Sequence, residues 1–226
     1  MISLIIPTLN EERALPQTLA RVALQGSPHE IIVADGGSSD GTVGIARNAG
    51  VQCQCISAPR GRGPQMNAGA HLARGEWLLF LHADTLLPPD ALAAIEALPP
   101  AVEAGCFHQA FSHDHWLLRA VSRLHNWRCK RTRIMYGDQA MFVRRSVFEA
   151  LGGFPDGDLE DVKLSERLRA RGARHAPVAL PAVVVTDARK FLAHGIVRST
   201  ARVVLISLCH RYRLPLAGRR FFEAVR

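Results

Sequence analysis

The stretch EIIVADGGSSDGT, residues 30–42, joins a short apolar run to a polar loop that contains three glycines. The run from Glu30 to Ala34 has the length and the apolar character of a strand buried on both faces of a sheet. The glycines allow tight turns close to a ligand, and Thr42 to Ala49 has a helical pattern. This order predicts one βα unit whose loop binds a ligand.

Similar units surround this stretch. The first half of the chain is predicted to contain four strands and three helices: strands at Ile2–Ile6, Glu30–Ala34, Val51–Ile56 and Glu76–Leu81, and helices at Glu11–Leu24, Thr42–Ala49 and Gln65–Arg74. Alternating strands and helices predict an α/β fold with a mostly parallel central sheet flanked by helices. Ligands of such sheets bind beyond the carboxyl ends of the strands.

The second half is less regular. Its predicted strands are Cys106–Phe111, Ala140–Arg144 and Val183–Thr186, and its predicted helices are Trp116–Lys130, Asp161–Arg171 and a basic helical tail at Arg189–Arg213. Because no linker or repeat interrupts the chain, we expect one domain over residues 1–226.

The composition excludes several classes of protein. The 226 residues are 48% apolar and 21% charged, which rules out disorder, collagen and coiled coil for the chain as a whole. Five cysteines without a Cys-x-x-Cys pair favour reduced thiols in a cytosolic compartment. The sequence has no signal-peptide pattern and no apolar run of about twenty residues, so we expect a cytoplasmic protein without a membrane span.

Polar side chains that can carry chemistry follow the predicted strands. Asp35 is placed to accept hydrogen bonds from a base or a ribose, and Asp84 is placed to hold Mg²⁺ or Mn²⁺ against a diphosphate. Arg60 and Arg62 lie in a glycine-bearing loop before a helix, which suits a phosphate or a sugar. In the pair Glu160-Asp161, the functional interpretation is a general base for an acceptor hydroxyl.

Together and in this order, these motifs resemble the family 2 glycosyltransferases, whose fold is the GT-A nucleotide-sugar type. The resemblance runs from about Ile2 to Leu168 and implies a nucleotide-binding half at about 1–100 and an acceptor-side half, with the C-terminal helices, at about 101–226. It also implies that Pro7, Glu11 and Asp35 contact the nucleobase and the ribose. It implies that Asp161 is the catalytic base of an inverting enzyme. Asp84 is similar to the last acid of the family's Asp-x-Asp metal motif, and His82 stands in the place of the first.

A narrower resemblance is to a compact bacterial subgroup named for its association with radical-SAM proteins and arsenosugar biosynthesis. It rests on the motifs at 60–70, 81–85, 136–139, 152–155 and 186–190. It implies that Arg189 and Lys190 close over the diphosphate and that Gly137, Asp138 and Gln139 line the acceptor side. We also place Glu160 on the acceptor side. The remaining residues that we assign to the donor are Thr8, Asn10, Gly36, Ser38, Arg60, Gln65, Asn67, His82 and Ala83.

The resulting prediction is transfer of a sugar from a nucleoside-diphosphate donor, with UDP favoured, to an unidentified acceptor. Two alternatives remain open: a nucleotidyltransferase on a similar sheet, and a basic binding module at an anionic membrane surface. The formal net charge of +8, the acid-poor tail and the segment with Trp116 and Trp127 motivate the second. The sequence leaves a homodimer open, and no recognised motif indicates nucleic acid as a partner.

Overall fold

The computed structural model describes residues 1–50 and 53–211, which fold around one sheet. Its eight strands are β1 (Ile2–Thr8), β2 (His29–Asp35), β3 (Cys53–Ser57), β4 (Trp77–Phe80), β5 (Thr85–Leu86), β6 (Ala104–Phe111), β7 (Met141–Arg144) and β8 (Val178–Thr186). The helices of the described residues are α1 (Leu15–Ala23), α2 (Thr42–Arg47), α3 (Arg62–Leu72), α4 (Ala91–Glu96), α5 (Trp116–Thr132), α6 (Arg145–Ala150), α7 (Glu160–Ala170), α8 (Arg189–His194) and α9 (Ile196–Arg211). Two short 3₁₀ turns, at Gly137–Gln139 and Ala173–His175, complete the set of helical elements in these ranges.

The strand order is β3-β2-β1-β4-β7-β6-β8-β5. Strands β3, β2, β1 and β4 are parallel, which confirms the predicted α/β architecture of the first half. Thr8 lies opposite Asp35 in the register of β1 and β2. The amide of Leu81, just beyond β4, donates to the carbonyl of Ile5. The carboxyl ends of these three strands therefore share one edge of the sheet, as the sequence predicted.

Strand β7 enters the sheet in the opposite direction. It pairs antiparallel with β4, so that Met141 at its start lies opposite Phe80 at the end of β4. The 3₁₀ turn at Gly137–Gln139, which precedes β7, is thereby brought to the same edge as the end of β4. This reversal positions the second half of the chain next to the loops of the first half.

Apolar helices cover both faces of the sheet. Helices α1 and α4 pack on the face that contains Leu4, and helices α3, α6 and α7 pack on the face that contains Ile5. Burial on both faces explains why the first strands are continuously apolar rather than alternating. Helix α3 lies very close to β1, because a Cβ atom at Gly69 would stand 2.6 Å from Cγ2 of Ile5.

Several bounds differ from the sequence prediction. The tail expected as one helix divides at Gly195, whose φ is +82°, into α8 and α9. Strand β8 begins at Val178 although Pro181 lies within it. Its pairing with β6 shifts register between Phe107 and His108, so the proline, which has no N–H to donate, is accommodated at the irregularity.

Elements β5, α4 and α6 were not predicted. The predicted start of the third strand, at 51–52, and the predicted end of the helical tail, at 212–213, lie outside the described residues. Among the residues that are described, no helix has the length and apolar character needed to cross a bilayer.

Candidate functional site

A cleft of about 160 Å³ opens at the carboxyl edge of the sheet. It lies where the ends of β1 and β4, the start of α3 and the start of α8 meet. Its lining residues are Pro7, Thr8, Leu9, Glu11, Gly61, Arg62, Gln65, His82, Ala83, Asp84 and Lys190. The cleft thus brings together four segments that the sequence analysis had named separately: the loop after β1, the loop before α3, the end of β4 and the start of α8.

Asp35 shapes the loop beside the cleft. One carboxylate oxygen accepts from the Ser38 hydroxyl at 2.5 Å and the Thr8 hydroxyl at 3.2 Å, and the other accepts from the amides of Gly37 and Ser38, both at 2.9 Å. Burial opposes the charge of Asp35, but the hydrogen bonds from Ser38, Gly37 and Thr8 outweigh it and hold its pKa below the ordinary value. The carboxylate is therefore a fixed anion that already accepts four hydrogen bonds.

The polar loop after β1 and the glycine-rich loop after β2 are joined by hydrogen bonds. Asn10 has a φ of +57°. Its side-chain Oδ1 accepts from the backbone amide of Ser39 at 2.8 Å, and its backbone amide donates to the Ser38 hydroxyl at 2.9 Å. The amide of Glu11 donates to the Thr42 hydroxyl at 2.8 Å. Asn10 and Ser38 thus hold the two loops together, and their assigned contacts with a ligand remain a prediction.

Gln65 is buried at the base of the cleft. Its Nε2 donates to the carbonyls of Thr8 at 2.7 Å and Ala34 at 2.8 Å, and its Oε1 accepts from the Gly61 amide at 3.2 Å. A Cβ atom at Gly36 would lie 3.0 Å from its amide carbon, so Gly36 makes room for this side chain. Gln65 fixes the ends of β1 and β2 relative to α3, which is a positioning role that the sequence pattern did not distinguish from ligand contact.

The amide of Asn67 is engaged elsewhere. It donates to the Phe154 carbonyl and accepts from the Phe154 amide, both at 2.9 Å. Asn67 therefore anchors the loop around Gly153, and its assigned contact with the donor remains a prediction. A side chain at Gly153 would meet its Oδ1 at 2.7 Å.

Arg62, and not Arg60, lines the cleft. Arg60 is exposed, whereas Arg62 is the first residue of α3 and its Nε lies 3.0 Å from Glu160 Oε1. Burial opposes its charge, but nearby carboxylates raise its pKa. These belong to Glu160, Asp161, Asp138 and Asp84. The sequence marked both arginines, and the distinguishing signal is the position of Arg62 inside the helix that Gly61 begins.

Asp84 and Glu11 face two basic side chains of α8. Lys190 Nζ lies 3.4 Å from Asp84 Oδ2 and 3.4 Å from Glu11 Oε1, and Arg189 forms an ion pair with Glu11. The ammonium group of Lys190 thus sits where a cation bound by Asp84 would lie. Arg189 and Lys190 were expected over the diphosphate, which Asp84 also faces. Lys190 does lie next to Asp84, although 106 positions separate the two residues in the sequence.

The donor set at Asp84 suits a metal ion that takes most of its oxygen ligands from a phosphate. Among the described residues, no group of three or more His, Cys, Asp or Glu side chains could hold a metal ion by itself. Mg²⁺ commonly binds through one or two carboxylates together with substrate phosphates, which one carboxylate in an open cleft satisfies. His82 Nε2 is buried and has no hydrogen-bond partner among the described residues. Burial and, next, the positive charge of Arg62 lower the pKa of His82, which favours the neutral imidazole.

Asp161 lies on the other side of His82, in the first turn of α7. Its Oδ2 accepts from the Gly137 amide at 2.7 Å, and its Oδ1 accepts from the Val162 amide at 2.8 Å. A Cβ atom at Gly137 would stand 2.7 Å from His82 Nε2 and 3.5 Å from Asp161 Oδ2. The absence of a side chain at Gly137 is what allows the carboxylate and the imidazole to approach the same turn.

The other two residues of that turn, Asp138 and Gln139, differ in how fully their side chains are hydrogen-bonded. Gln139 is fully buried, where its Oε1 accepts from the Tyr136 amide at 3.1 Å and its Nε2 donates to the Phe107 carbonyl at 3.4 Å. Asp138 Oδ2 lies 3.8 Å from Nδ1 of His125 on α5, and Asp138 Oδ1 has no hydrogen-bond partner among the described residues. Asp138 is thus the residue of this turn with free hydrogen-bonding capacity.

Comparison with known proteins gives concordant results for the sequence. A family model described as Glycosyl transferase family 2 matches residues 3–152. A PGL/p-HBAD biosynthesis glycosyltransferase from Mycobacterium bovis is 32% identical over 165 residues, which cover 68% of this chain and 63% of that protein. An undecaprenyl-phosphate 4-deoxy-4-formamido-L-arabinose transferase from Aeromonas hydrophila is 26% identical over 67% of this chain and 51% of that protein. The chain therefore spans less than two thirds of the length of either relative.

Solved structures share the fold. A mannosyltransferase from Pyrobaculum calidifontis, in complex with GDP-Man and Mn²⁺, matches 99% of this chain and 67% of its own with a TM-score of 0.72 at 24% identity. Glucosyl-3-phosphoglycerate synthase from Mycobacterium tuberculosis, with Mn²⁺, UDP and glucosyl-3-phosphoglycerate, matches 96% of this chain and 82% of its own with a TM-score of 0.66 at 19% identity. These matches confirm the predicted GT-A architecture.

Proposed function

Because this chain belongs to glycosyl transferase family 2, we propose that it transfers a sugar from a nucleoside-diphosphate sugar to an acceptor, with inversion at the anomeric carbon. The observation that carries this proposal is that three acids lie at or beside one cleft at the edge of the sheet. Asp84 lines the cleft, and Asp35 accepts a hydrogen bond from Thr8, which also lines it. Asp161 accepts from the amide of Gly137, the residue that lies against His82 of the cleft. Separate groups are then available for the nucleoside, the diphosphate and the acceptor. Holding two substrates together in this way supplies a large part of the rate of a group transfer.

The nucleoside is assigned to the first half of the chain. Pro7, Thr8 and Glu11 line the cleft, and the Asp35 loop is fixed beside them by its own hydrogen bonds. We propose UDP as the nucleotide, and the ligands of the two solved relatives, UDP and GDP-Man, make uracil and guanine the first bases to compare.

The diphosphate is assigned to Arg62, Lys190 and a divalent ion at Asp84. The ion, when bound, would neutralise the charge that develops on the leaving diphosphate. Arg62 and Lys190 are cations at the same cleft, so they contribute to this neutralisation from the protein itself. Binding at Asp84 requires that Lys190 turn from the carboxylate toward the phosphates.

The acceptor is assigned to the side of Asp161. We propose that this carboxylate takes the proton of the attacking nucleophile, using a lone pair not engaged by Gly137 or Val162. Glu160 holds Arg62 at 3.0 Å, and Asp138, whose buried Oδ1 has no hydrogen-bond partner among the described residues, is assigned to the acceptor side with it. The name of the Aeromonas hydrophila relative makes a polyprenyl phosphate the first acceptor to test.

A ligand screen tests the donor. UDP-, GDP- and TDP-sugars are added to the protein with and without Mn²⁺, and the melting temperature is followed. A donor at about 100 times its Kd stabilises the folded state by about 2.7 kcal/mol. Stabilisation by a nucleotide sugar, with release of the nucleoside diphosphate on turnover, supports the proposal. Stabilisation by nucleoside triphosphates alone, with release of pyrophosphate, would support the nucleotidyltransferase instead.

Chelation tests the metal separately. We expect EDTA to abolish sugar transfer and added Mn²⁺ or Mg²⁺ to restore it. Full activity in EDTA would remove the ion from Asp84 and leave Arg62 and Lys190 as the cations of the site.

A further inference from the structure

Helix α5 presents an apolar stripe to solvent. Trp116, Leu124 and Trp127 are 66%, 58% and 60% exposed, whereas Leu118 and Cys129 on the opposite side are buried against the sheet. The two tryptophans are eleven positions apart, about three helical turns, so they project from the same side. Leu124 lies between them on that side. Large apolar side chains grouped in this way on a surface commonly mark a site of contact with a partner.

The same helix is strongly basic. Five of its 17 residues are Arg or Lys and none is Asp or Glu: Arg119, Arg123, Arg128, Lys130 and Arg131. Arg119 pairs with Asp114 just before the helix, and Arg128 lies over the ring of Tyr136 at 3.9 Å. Arg123 and Lys130 are exposed beside the tryptophans and have no carboxylate partner among the described residues. The exposed face therefore combines an apolar stripe with a positively charged border.

We propose that this face of α5, formed by Trp116, Arg123, Leu124, Trp127 and Lys130, binds the surface of an anionic lipid bilayer. Tryptophan is favoured at the boundary between lipid and water because its ring is apolar and its N–H is polar. Lysine and arginine on the border attract anionic headgroups. At 17 residues the helix is about 25 Å long, and it lies on the membrane with its apolar stripe toward the acyl chains.

The surroundings of α5 are compatible with this orientation. Helix α9 packs against α5 and carries exposed Val197, Val204 and Leu205. The sequence from 188 to 211 contains no Asp or Glu, so the neighbouring helices add no acid that would repel anionic lipid. A nucleic acid is less favoured as the partner, because the contacts with nucleic acid are mainly polar ones to phosphates and base edges, whereas the centre of this face is made of two tryptophans and a leucine.

The position of α5 also relates the membrane to the cleft. The inner side of the helix carries His125, whose Nδ1 lies 3.8 Å from Asp138 Oδ2 on the acceptor side. A docked bilayer would therefore lie about one helix diameter, roughly 10 Å, from the acceptor side. This last step rests on the proposed function, whereas docking itself does not.

Vesicle binding tests the proposal on the full chain. We expect co-sedimentation with vesicles of phosphatidylcholine and phosphatidylglycerol, at least tenfold tighter than with phosphatidylcholine alone. Trp77 is buried, so a blue shift of the tryptophan emission and its quenching by brominated lipid would report on Trp116 and Trp127. The double variant Arg123→Glu, Lys130→Glu should weaken binding at least about 30-fold, because each basic residue near the surface contributes about 1 kcal/mol.

Matched variants separate this face from general effects of charge and hydrophobicity. Arg47→Glu with Arg74→Glu makes the same change in net charge on other exposed positions, and Leu24→Ser removes an exposed apolar side chain just after α1. Both should bind vesicles as the wild type does, whereas Trp116→Ser with Trp127→Ser should lose at least tenfold.

The proposal is overturned if the wild type does not bind anionic vesicles, or if the control variants lose as much binding as the α5 variants. If the wild type does not bind vesicles but forms a dimer, and Trp116→Ser with Trp127→Ser makes it a monomer, the face belongs to a contact with a second copy of the chain. Without vesicle binding, salt-dependent binding of arbitrary DNA would assign it to nucleic acid. All of these variants leave the groups assigned to sugar transfer intact, so the ligand screen above is scored independently.

Discussion

Replacing Gln65 by leucine tests whether one buried amide holds the cleft together. The substitution keeps most of the side-chain volume and removes the hydrogen bonds to the Thr8 and Ala34 carbonyls and from the Gly61 amide. The Thr8 carbonyl keeps a second partner, since it also accepts from the Gly36 amide at 2.9 Å.

The expected cost follows from these contacts. A neutral hydrogen bond contributes about 1 kcal/mol, so the loss of three lowers the free energy of unfolding by about 3 kcal/mol. For a chain of this length, that corresponds to a fall in Tm of roughly 6–12 °C. Because Gln65 also sets the positions of the strand ends that line the cleft, we expect the Kd for the nucleotide to rise at least about tenfold.

Gln25 provides the matched control. It is also buried, and its amide donates to the Pro88 carbonyl at 2.9 Å and accepts from the Leu92 amide at 3.2 Å, away from the cleft. Gln25→Leu should cost about 2 kcal/mol by the same reasoning and leave nucleotide affinity unchanged. Urea unfolding and titration calorimetry measure the two quantities. The reasoning fails if Gln65→Leu costs less than 1 kcal/mol, or if both variants bind nucleotide equally well.

Three further predictions concern the charged groups and the turn at Gly137. Asp161→Asn should lower kcat by about 10²- to 10⁴-fold while the Kd of the donor is retained, and unchanged turnover would remove Asp161 from the base role. Gly137→Ala should lower activity because its Cβ atom would stand 2.7 Å from His82 Nε2, whereas Gly44→Ala, with no atom within 4 Å, should stabilise α2 by about 0.5–1 kcal/mol; activity and thermal unfolding of both decide this. The pKa of Asp35 is held below its ordinary value of 3.8, so the unfolded chain takes up this proton first as the pH falls. The stability advantage of the wild type over Asp35→Asn should therefore be fully present at neutral pH and shrink as the pH falls below 3.8, and urea unfolding between pH 3 and 7 that shows a constant difference would contradict the assigned hydrogen bonds.

The parallel half of the fold was predictable because each of its strands and helices has a clear pattern in its own stretch of sequence. The largely apolar runs at Ile2–Ile6 and Glu76–Leu81 indicate strands buried on both faces, and their alternation with helices favours a parallel sheet that the helices cover. The polar residues that follow each run then share an edge by geometry alone. The placement of Asp35 and Asp84 at that edge followed from the same argument.

The details that sequence did not reveal depend on contacts distant along the chain. An amide such as Gln65 or Asn67 has the same sequence signature whether it binds a ligand or a backbone carbonyl, and only the fold decides which partner is near. Similarly, the salt bridge to Glu160 distinguishes Arg62 from Arg60 only after α7 has packed against α3. The extension of β8 past Pro181 depends on an irregularity in its pairing with β6.

Gly69 shows how a residue outside the cleft can control it. Its missing side chain lets α3 rest directly on Ile5, and the same helix carries Gln65 one turn earlier and Arg62 two turns earlier. A single added methyl group would act as a wedge at the middle of the helix and tilt the end that carries both polar residues. A substitution at position 69 is therefore expected to misalign the guanidinium group of Arg62, although Gly69 itself does not line the cleft.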